Sequence, residues 1–292
     1  MIIICLSGGL GNQLNYYSVG EYIKRKYGIE VLYEINYLNK DWQSVLYLDK
    51  LISGLNYVDF KSYSSKFFRH MIFDIEEKYE FNINNNYVIT NFRNHPYEFV
   101  KLCPDIKDNF TDINFVRKKD MELAHKINET NSVAIHIRRG DYINVKETRN
   151  KFGILANQYY HKAMDYMYQM TCSPFFYIFS DDTNWAEENF ADIKNKIVIK
   201  HNKSRINSTY DNYKTFRYVK FRFKFLFNYR LQKAINDFNL MRCCKHFIIA
   251  NSTFSWWAGY LGEKKNKIII CPYNWSNKRT SENSTPKEWI RI

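Results

Sequence analysis

Apolar positions along the chain fall into two series of short runs that alternate with amphipathic stretches. Residues 1–6 are a continuous apolar run, the pattern of a buried strand. A Gly-rich turn at 7–11, a helical stretch at 12–27 and a second strand at 30–35 complete a β-turn-α-β unit. Residues 42–86 show weak periodicity, 87–91 read as a short strand and 118–128 as a helix. The polar end of that helix, 129–132, marks the expected boundary between domains 1–130 and 131–292. The second series opens with an alternating strand at 133–138 and a loop at 140–156. A helix at 157–170 follows, with apolar spacing at Ala163, Met164 and Met167. Strands are then expected at 175–180, 197–199, 246–250 and 267–272, and helices at 185–190, 230–243 and 253–262. Strands alternating with helices predict an α/β fold of two Rossmann-type domains. Each has a parallel sheet with helices on both faces, and the two face a cleft. Such sheets bind ligands at the carboxyl ends of their strands.

Composition narrows the function classes. The 292 residues suit about two domains, at roughly 150 residues each. With 45% hydrophobic and 25% charged residues the chain is neither disordered nor low in core formers. Only 10 Gly and 5 Pro, with no internal period, exclude collagen-like and solenoid architectures. The 24 Tyr, 22 Phe and 6 Trp leave room for aromatic surfaces that bind sugar rings or a membrane interface. The net charge of +13 has one concentration, FRYVKFRFKFLFNYRLQK at 216–233. That stretch could be a solvated basic face, or attract an anionic membrane or an acidic ligand. No zinc-finger, RNA-recognition or zipper motif accompanies it, so nucleic acid is not an expected partner. Six scattered cysteines without C-x-x-C pairs suggest reduced thiols in a cytoplasmic protein. The N-terminal apolar run is too short for a signal peptide or a spanning helix. A cytoplasmic protein, with a peripheral hold on the inner face of the membrane, is the expectation.

Four strand-end loops carry the candidate chemistry. Ser7-Gly8-Gly9-Leu10-Gly11-Asn12-Gln13 brings backbone N–H groups to a helix start, where anions bind. Gly9 and Gly11 begin a G-x-G-x-x-G with Glu34 at ribose-binding distance, but Leu14 takes the third Gly position. His136-Ile137-Arg138-Arg139-Gly140-Asp141 places two guanidinium groups at the end of an apolar strand. They form either a structural Arg–Asp pair or a diphosphate clamp. Ser180-Asp181-Asp182 offers carboxylates for ribose hydroxyls, for a metal or for a helix cap. Asn251-Ser252-Thr253-Phe254-Ser255 gives hydroxyls and N–H groups at another helix start, suited to a phosphate or to plain capping.

Taken together, GGLGNQL (8–14), HIRRGDY (136–142), FSDD (179–182) and LMRCCKHFIIANSTFSWWAGYL (240–261) resemble the bacterial α-1,2-fucosyltransferases of glycosyltransferase family 11. The tail at 272–275 and 289–292 resembles the family's ending. Asn15-Tyr16 stands where the family usually has Phe-Gln, and 143–156 departs from its usual pattern. Both departures bear on acceptor preference more than on donor chemistry.

The resemblance implies a GT-B-like fold, GDP-β-L-fucose as donor and transfer with inversion to the 2-hydroxyl of a galactose-type acceptor. Surface polysaccharide or O-antigen synthesis is the implied setting, with no cofactor and no metal. It implies that Arg138 contacts the β-phosphate with Arg139 in support, and that Asn12 lies near the sugar–phosphate linkage. Donor contacts are expected from Gly9, Gly11, Gln13, His136, Ser180, Asp181, Asp182, Asn251, Ser252, Thr253, Phe254 and Ser255. Asp237 is the carboxylate expected to accept the guanine N1 and N2 protons. Asp141 and Glu147 are the candidate bases, and a dissociative path would need little base help. Two other classes compete: a dinucleotide-dependent oxidoreductase, motivated by Gly9-x-Gly11 and Glu34, and a non-enzymatic basic binding protein, motivated by the charge.

Overall fold

The structure, a computed structural model, describes residues 1–35, 38, 45–58, 68–82, 84–93, 95–200, 223–262 and 264–292, with backbone alone at 223–230. It divides into two compact units, Met1–Asp112 and Ile113–Ile292.

The first unit contains β1 (Ile2–Cys5), α1 (Leu10–Tyr27), β2 (Val31–Glu34), β3 (Tyr57–Val58), β4 (Phe68–Phe73), β5 (Asn86–Phe92) and α2 (Pro96–Val100). Its five strands run parallel in the order β3-β2-β1-β5-β4. The apolar run at the N-terminus forms the middle strand because every residue of β1 is buried. β1 lies at the middle of the sheet, between β2 and β5, so the Gly-rich loop leaves the carboxyl end of its central strand. The weakly periodic stretch hides β3 and β4. β4 lies at the sheet edge with half of its residues exposed and only Phe73 buried, so it has little hydrophobic pattern to read.

The second unit begins with α3 (Lys118–Glu129) and β6 (Ser132–Ile137). Then come α4 (Gly140–Asn144), α5 (Lys146–Phe152), α6 (Asn157–Met170), β7 (Phe175–Ser180), α7 (Thr183–Asn189) and β8 (Lys196–Val198). It continues with α8 (Phe223–Cys243), β9 (His246–Ile248), α9 (Thr253–Leu261) and β10 (Ile269–Cys271). A small antiparallel pair, β11 (Asn274–Ser276) and β12 (Arg279–Thr280), precedes the last strand, β13 (Ile290–Arg291). The six-stranded parallel sheet has the order β13-β10-β9-β6-β7-β8. Counted within the unit this is 6-5-4-1-2-3, the doubly wound order whose switch point lies between β6 and β9. Alternation along β6 sends Val133, Ile135 and Ile137 into the core beneath α6. His136 therefore points to the opposite face.

The structure corrects the sequence reading at three places. The division falls at residue 112 rather than at 130, because α3 packs with the second unit. Its fully buried Asp120 accepts a hydrogen bond from Asn236 Nδ2 on α8 at 2.7 Å and pairs with Arg117 Nε at 2.5 Å. The stretch 140–156 is not a loop but holds α4 and α5. The helix expected at 230–243 begins earlier, at Phe223, so Asp237 lies well inside α8. Of the basic stretch at 216–233, residues 216–222 and the side chains of 223–230 lie outside the described residues. None of the six cysteines, all among the described residues, forms a disulfide. Among the described residues no helix is long and apolar enough to cross a membrane.

Candidate functional site

Three loaded loops of the second unit leave the carboxyl ends of β6, β7 and β9, and two of them border the switch point. Parallel register sets them side by side: His136 is opposite Phe179, and Ile137 opposite Ser180.

Arg138 leaves β6 between two carboxylates. Its Nη2 is 2.7 Å from Asp141 Oδ1, its Nη1 is 3.0 Å from Asp181 Oδ2, and 28% of the side chain remains exposed. Burial opposes its charge, but the Asp181 and Asp141 carboxylates outweigh that and push its pKa up. Arg139 turns the other way. Its Nε donates to Asp182 Oδ2 at 3.2 Å, and its guanidinium lies 4.1 Å from the centre of the Trp185 ring. A stacked, paired guanidinium of this kind braces the loop. Asp182 also caps α7 by accepting the Trp185 N–H at 3.1 Å, and its own N–H donates to Ser180 Oγ. Trp185 has no role in the sequence reading. The visible signal was an aromatic three residues beyond the FSDD acids, on the first turn of a helix.

His136 reaches the α9 face, where its Nδ1 is 2.9 Å from Ser255 Oγ and its ring packs 5.3 Å from Phe254. Burial is the main cause that pulls its pKa down to about 3; Arg138 adds to this and Asp181 opposes it. The imidazole is therefore neutral at physiological pH. Between the ordinary value and the depressed one the unfolded chain binds a proton that the folded chain does not, so stability is lost as pH falls through that window. His136→Gln is expected to be less stable than the parent at pH 7, by about 1 kcal/mol for a weakened hydrogen bond. Its disadvantage should shrink or reverse at pH 4–5. Melting temperatures across pH 4–8 check this; parallel curves would mean that the folded imidazole takes the proton.

Asn251 is buried and ties its loop to α4 and α5. Its Nδ2 donates to the Phe152 carbonyl at 2.8 Å, and its own carbonyl accepts the Tyr142 hydroxyl at 2.8 Å. The Tyr142 and Phe152 rings stack at 5.3 Å. α9 then starts at Thr253, and Ser252 makes no side-chain cap, so the helix start keeps its affinity for an anion. Ser252, Thr253 and Phe254 are all half-buried there, whereas Ser255 is fully buried against His136. Asp237 is half-buried on α8.

The first unit holds the remaining candidates. Gly8 has φ +74, and a Cβ on it would sit 2.5 Å from Asn12 Nδ2, so this turn requires glycine on both counts. α1 follows, with Gly9 at its N-cap offering no side-chain cap and Gly11 buried within its first turn; Asn12 is exposed beside it. Gln13 meets a physical obstacle as a donor contact. It is fully buried, its Nε2 donates to the Gly8 and Val45 carbonyls at 3.1 and 2.7 Å, and its Oε1 accepts the Tyr47 N–H at 2.9 Å. It shapes the turn. Glu34 is likewise buried within β2. Among the described residues no group of three or more His, Cys, Asp or Glu is arranged to hold a metal ion.

The chain is 29% identical to an Escherichia coli α-1,2-colitosyltransferase, covering 100% of this chain and 99% of that one. It is 26% identical to the Escherichia coli O-antigen biosynthesis glycosyltransferase WbnK, covering 99% of each. Its fold is similar to that of the fucosyltransferase NodZ from Bradyrhizobium, with a TM-score of 0.55, 11% identity and coverage of 92% of this chain and 94% of that one. The model of glycosyl transferase family 11 matches residues 34–216 and 219–292. With that much of the sequence matched, and a doubly wound sheet carrying the paired-arginine loop at its switch point, the chain belongs to glycosyl transferase family 11.

Proposed function

We propose that the chain is an inverting glycosyltransferase that moves L-fucose from GDP-β-L-fucose to the 2-hydroxyl of a galactose-type acceptor, in the synthesis of a surface polysaccharide such as an O-antigen. The observation that carries this reading is the position of Arg138 at the carboxyl end of β6, beside the switch point and held by Asp141 and Asp181. As the sugar–oxygen bond breaks, negative charge grows on the departing diphosphate. A prepositioned guanidinium and the uncapped start of α9 stabilise that charge more than they stabilise the ground state, which is the condition for acceleration. The fucosyl group passes through an oxocarbenium-like state. Ser252, Thr253 and Phe254 line the phosphate side, His136 serves as a neutral hydrogen-bonding group, and Asp237 reads the guanine edge. In the first unit the Gly9–Gly11 turn and Asn12 serve the sugar–phosphate linkage. Asp141 spends an oxygen on Arg138, so it serves the reaction chiefly by holding that guanidinium. Glu147, exposed on α5, is the other candidate base, and an early-departing leaving group needs little base help.

A thermal-shift panel tests the reading. GDP is expected to raise the melting temperature, and UDP, NAD and an oligonucleotide are not; a shift with NAD alone would favour the oxidoreductase. Transfer to a panel of small galactosides, with linkage read by NMR, then assigns the acceptor. The similarity to a colitosyltransferase favours a second donor, so GDP-colitose belongs beside GDP-fucose in that assay.

Positive charge for the leaving group comes here from the protein. Asp181 and Asp182 already serve guanidinium and N–H groups. Transfer is accordingly expected to survive excess EDTA with less than a twofold change. Loss of activity restored by Mg²⁺ or Mn²⁺ would reassign these acids to a metal.

A further inference from the structure

We propose that Asp181 is a positioning residue for the leaving-group arginine and does not itself touch the nucleotide. This inference rests on the GDP-sugar reading above. Asp181 stands just beyond β7 and collects three donors from the neighbouring loop. Its Oδ1 accepts the Arg139 N–H at 2.8 Å, and its Oδ2 accepts the Gly140 N–H at 3.1 Å and pairs with Arg138 Nη1 at 3.0 Å. The carboxylate therefore fixes both the backbone from which Arg138 emerges and the end of its side chain. Asp141 holds the other terminal nitrogen at 2.7 Å, so the guanidinium plane is gripped from two sides. Both contacts are ion pairs, one at each terminal nitrogen. The pairing leaves 28% of the side chain exposed to meet an incoming pyrophosphate.

Gly140 reports how close this packing is. A Cβ on it would lie 2.9 Å from Asp181 Oδ2 and 3.4 Å from Cγ, so no side chain fits without displacing the carboxylate. The Gly of the HIRRGD loop and the first Asp of the FSDD loop are thus two halves of one contact. Fixing a guanidinium before the substrate arrives removes reorganisation from the reaction step, and its loss is read in kcat more than in binding.

Asp181→Asn tests this. The amide keeps an acceptor for Arg139 N–H but turns a donor toward Gly140 N–H or Arg138. It is expected to lower kcat by about 10- to 100-fold while the GDP dissociation constant changes by less than about threefold. Combined with Arg138→Ala it should cost almost nothing further, because residues that act as one unit are non-additive. Gly140→Ala, which displaces the carboxylate without changing charge, should reproduce the kcat loss and the same non-additivity. It carries the test alone if Asp181→Asn does not fold. Full additivity with Arg138→Ala, or a tenfold weaker hold on GDP with unchanged kcat, would overturn the proposal and make Asp181 a direct donor contact. Near-parental kcat in both variants would overturn it as well. A parent protein that neither binds GDP nor consumes a GDP-sugar overturns the functional reading itself, and this inference with it.

Discussion

Arg138→Ala is expected to lower kcat by about 10²–10³, the size of effect produced by removing one donor to a developing negative charge. The fold should survive. The guanidinium is 28% exposed and sits at a strand end rather than in the sheet core, so truncation leaves no large apolar cavity. It does leave Asp141 and Asp181 facing each other without the charge between them, which predicts a modest loss of stability beside the large loss of rate. Donor KM should change less than kcat if the interaction strengthens as the diphosphate leaves. Lysine at this position would restore charge but not the fork that two carboxylates hold, so Arg138→Lys should recover only part of the rate. Steady-state kinetics with GDP-fucose, together with a melting curve for each variant, checks all of this. Near-parental turnover by Arg138→Ala would place the diphosphate clamp elsewhere.

The largest stability effect is expected at Trp256 on α9. Its ring is fully buried, lies 5.2 Å from Trp257, stacks with Tyr260 at 5.1 Å and packs 5.5 Å from Trp289. Its Nε1 donates to the Ser284 carbonyl at 2.8 Å. This one side chain therefore joins α9 to the C-terminal segment that supplies β13, the edge strand of the sheet. Trp256→Ala should cost about 3–5 kcal/mol for a buried indole. For a unit of this size that corresponds to a melting temperature roughly 8–15 °C lower. Trp256→Phe retains most of the apolar volume but strands the Ser284 carbonyl, and should cost about 1–3 kcal/mol. A calorimetric scan of the two variants separates packing from the hydrogen bond. Equal losses would mean that the hydrogen bond dominates.

The sequence alone determined the α/β class and the central strands. β1, β6 and β7 are buried along their whole length or nearly so, and their apolar runs are readable without neighbours. It also determined where the candidate groups stand. Glycines, paired arginines, paired acids and hydroxyls at strand-to-helix turns keep local signatures because backbone geometry demands them there. Tertiary structure alone decided what each group contacts. Arg138 and Arg139 are adjacent and alike in sequence, yet one is held open between two carboxylates and the other is paired to Asp182 and stacked on Trp185, because successive residues leave a strand on opposite sides. Gln13 looks like a ligand amide until burial shows its hydrogen bonds consumed by Gly8 and by the distant Val45 and Tyr47. Edge strands such as β4 and β13, and the membership of α3, were equally out of reach of a linear reading. Their pairing and burial depend on partners distant along the chain, and no local pattern encodes a contact between residues 120 and 236.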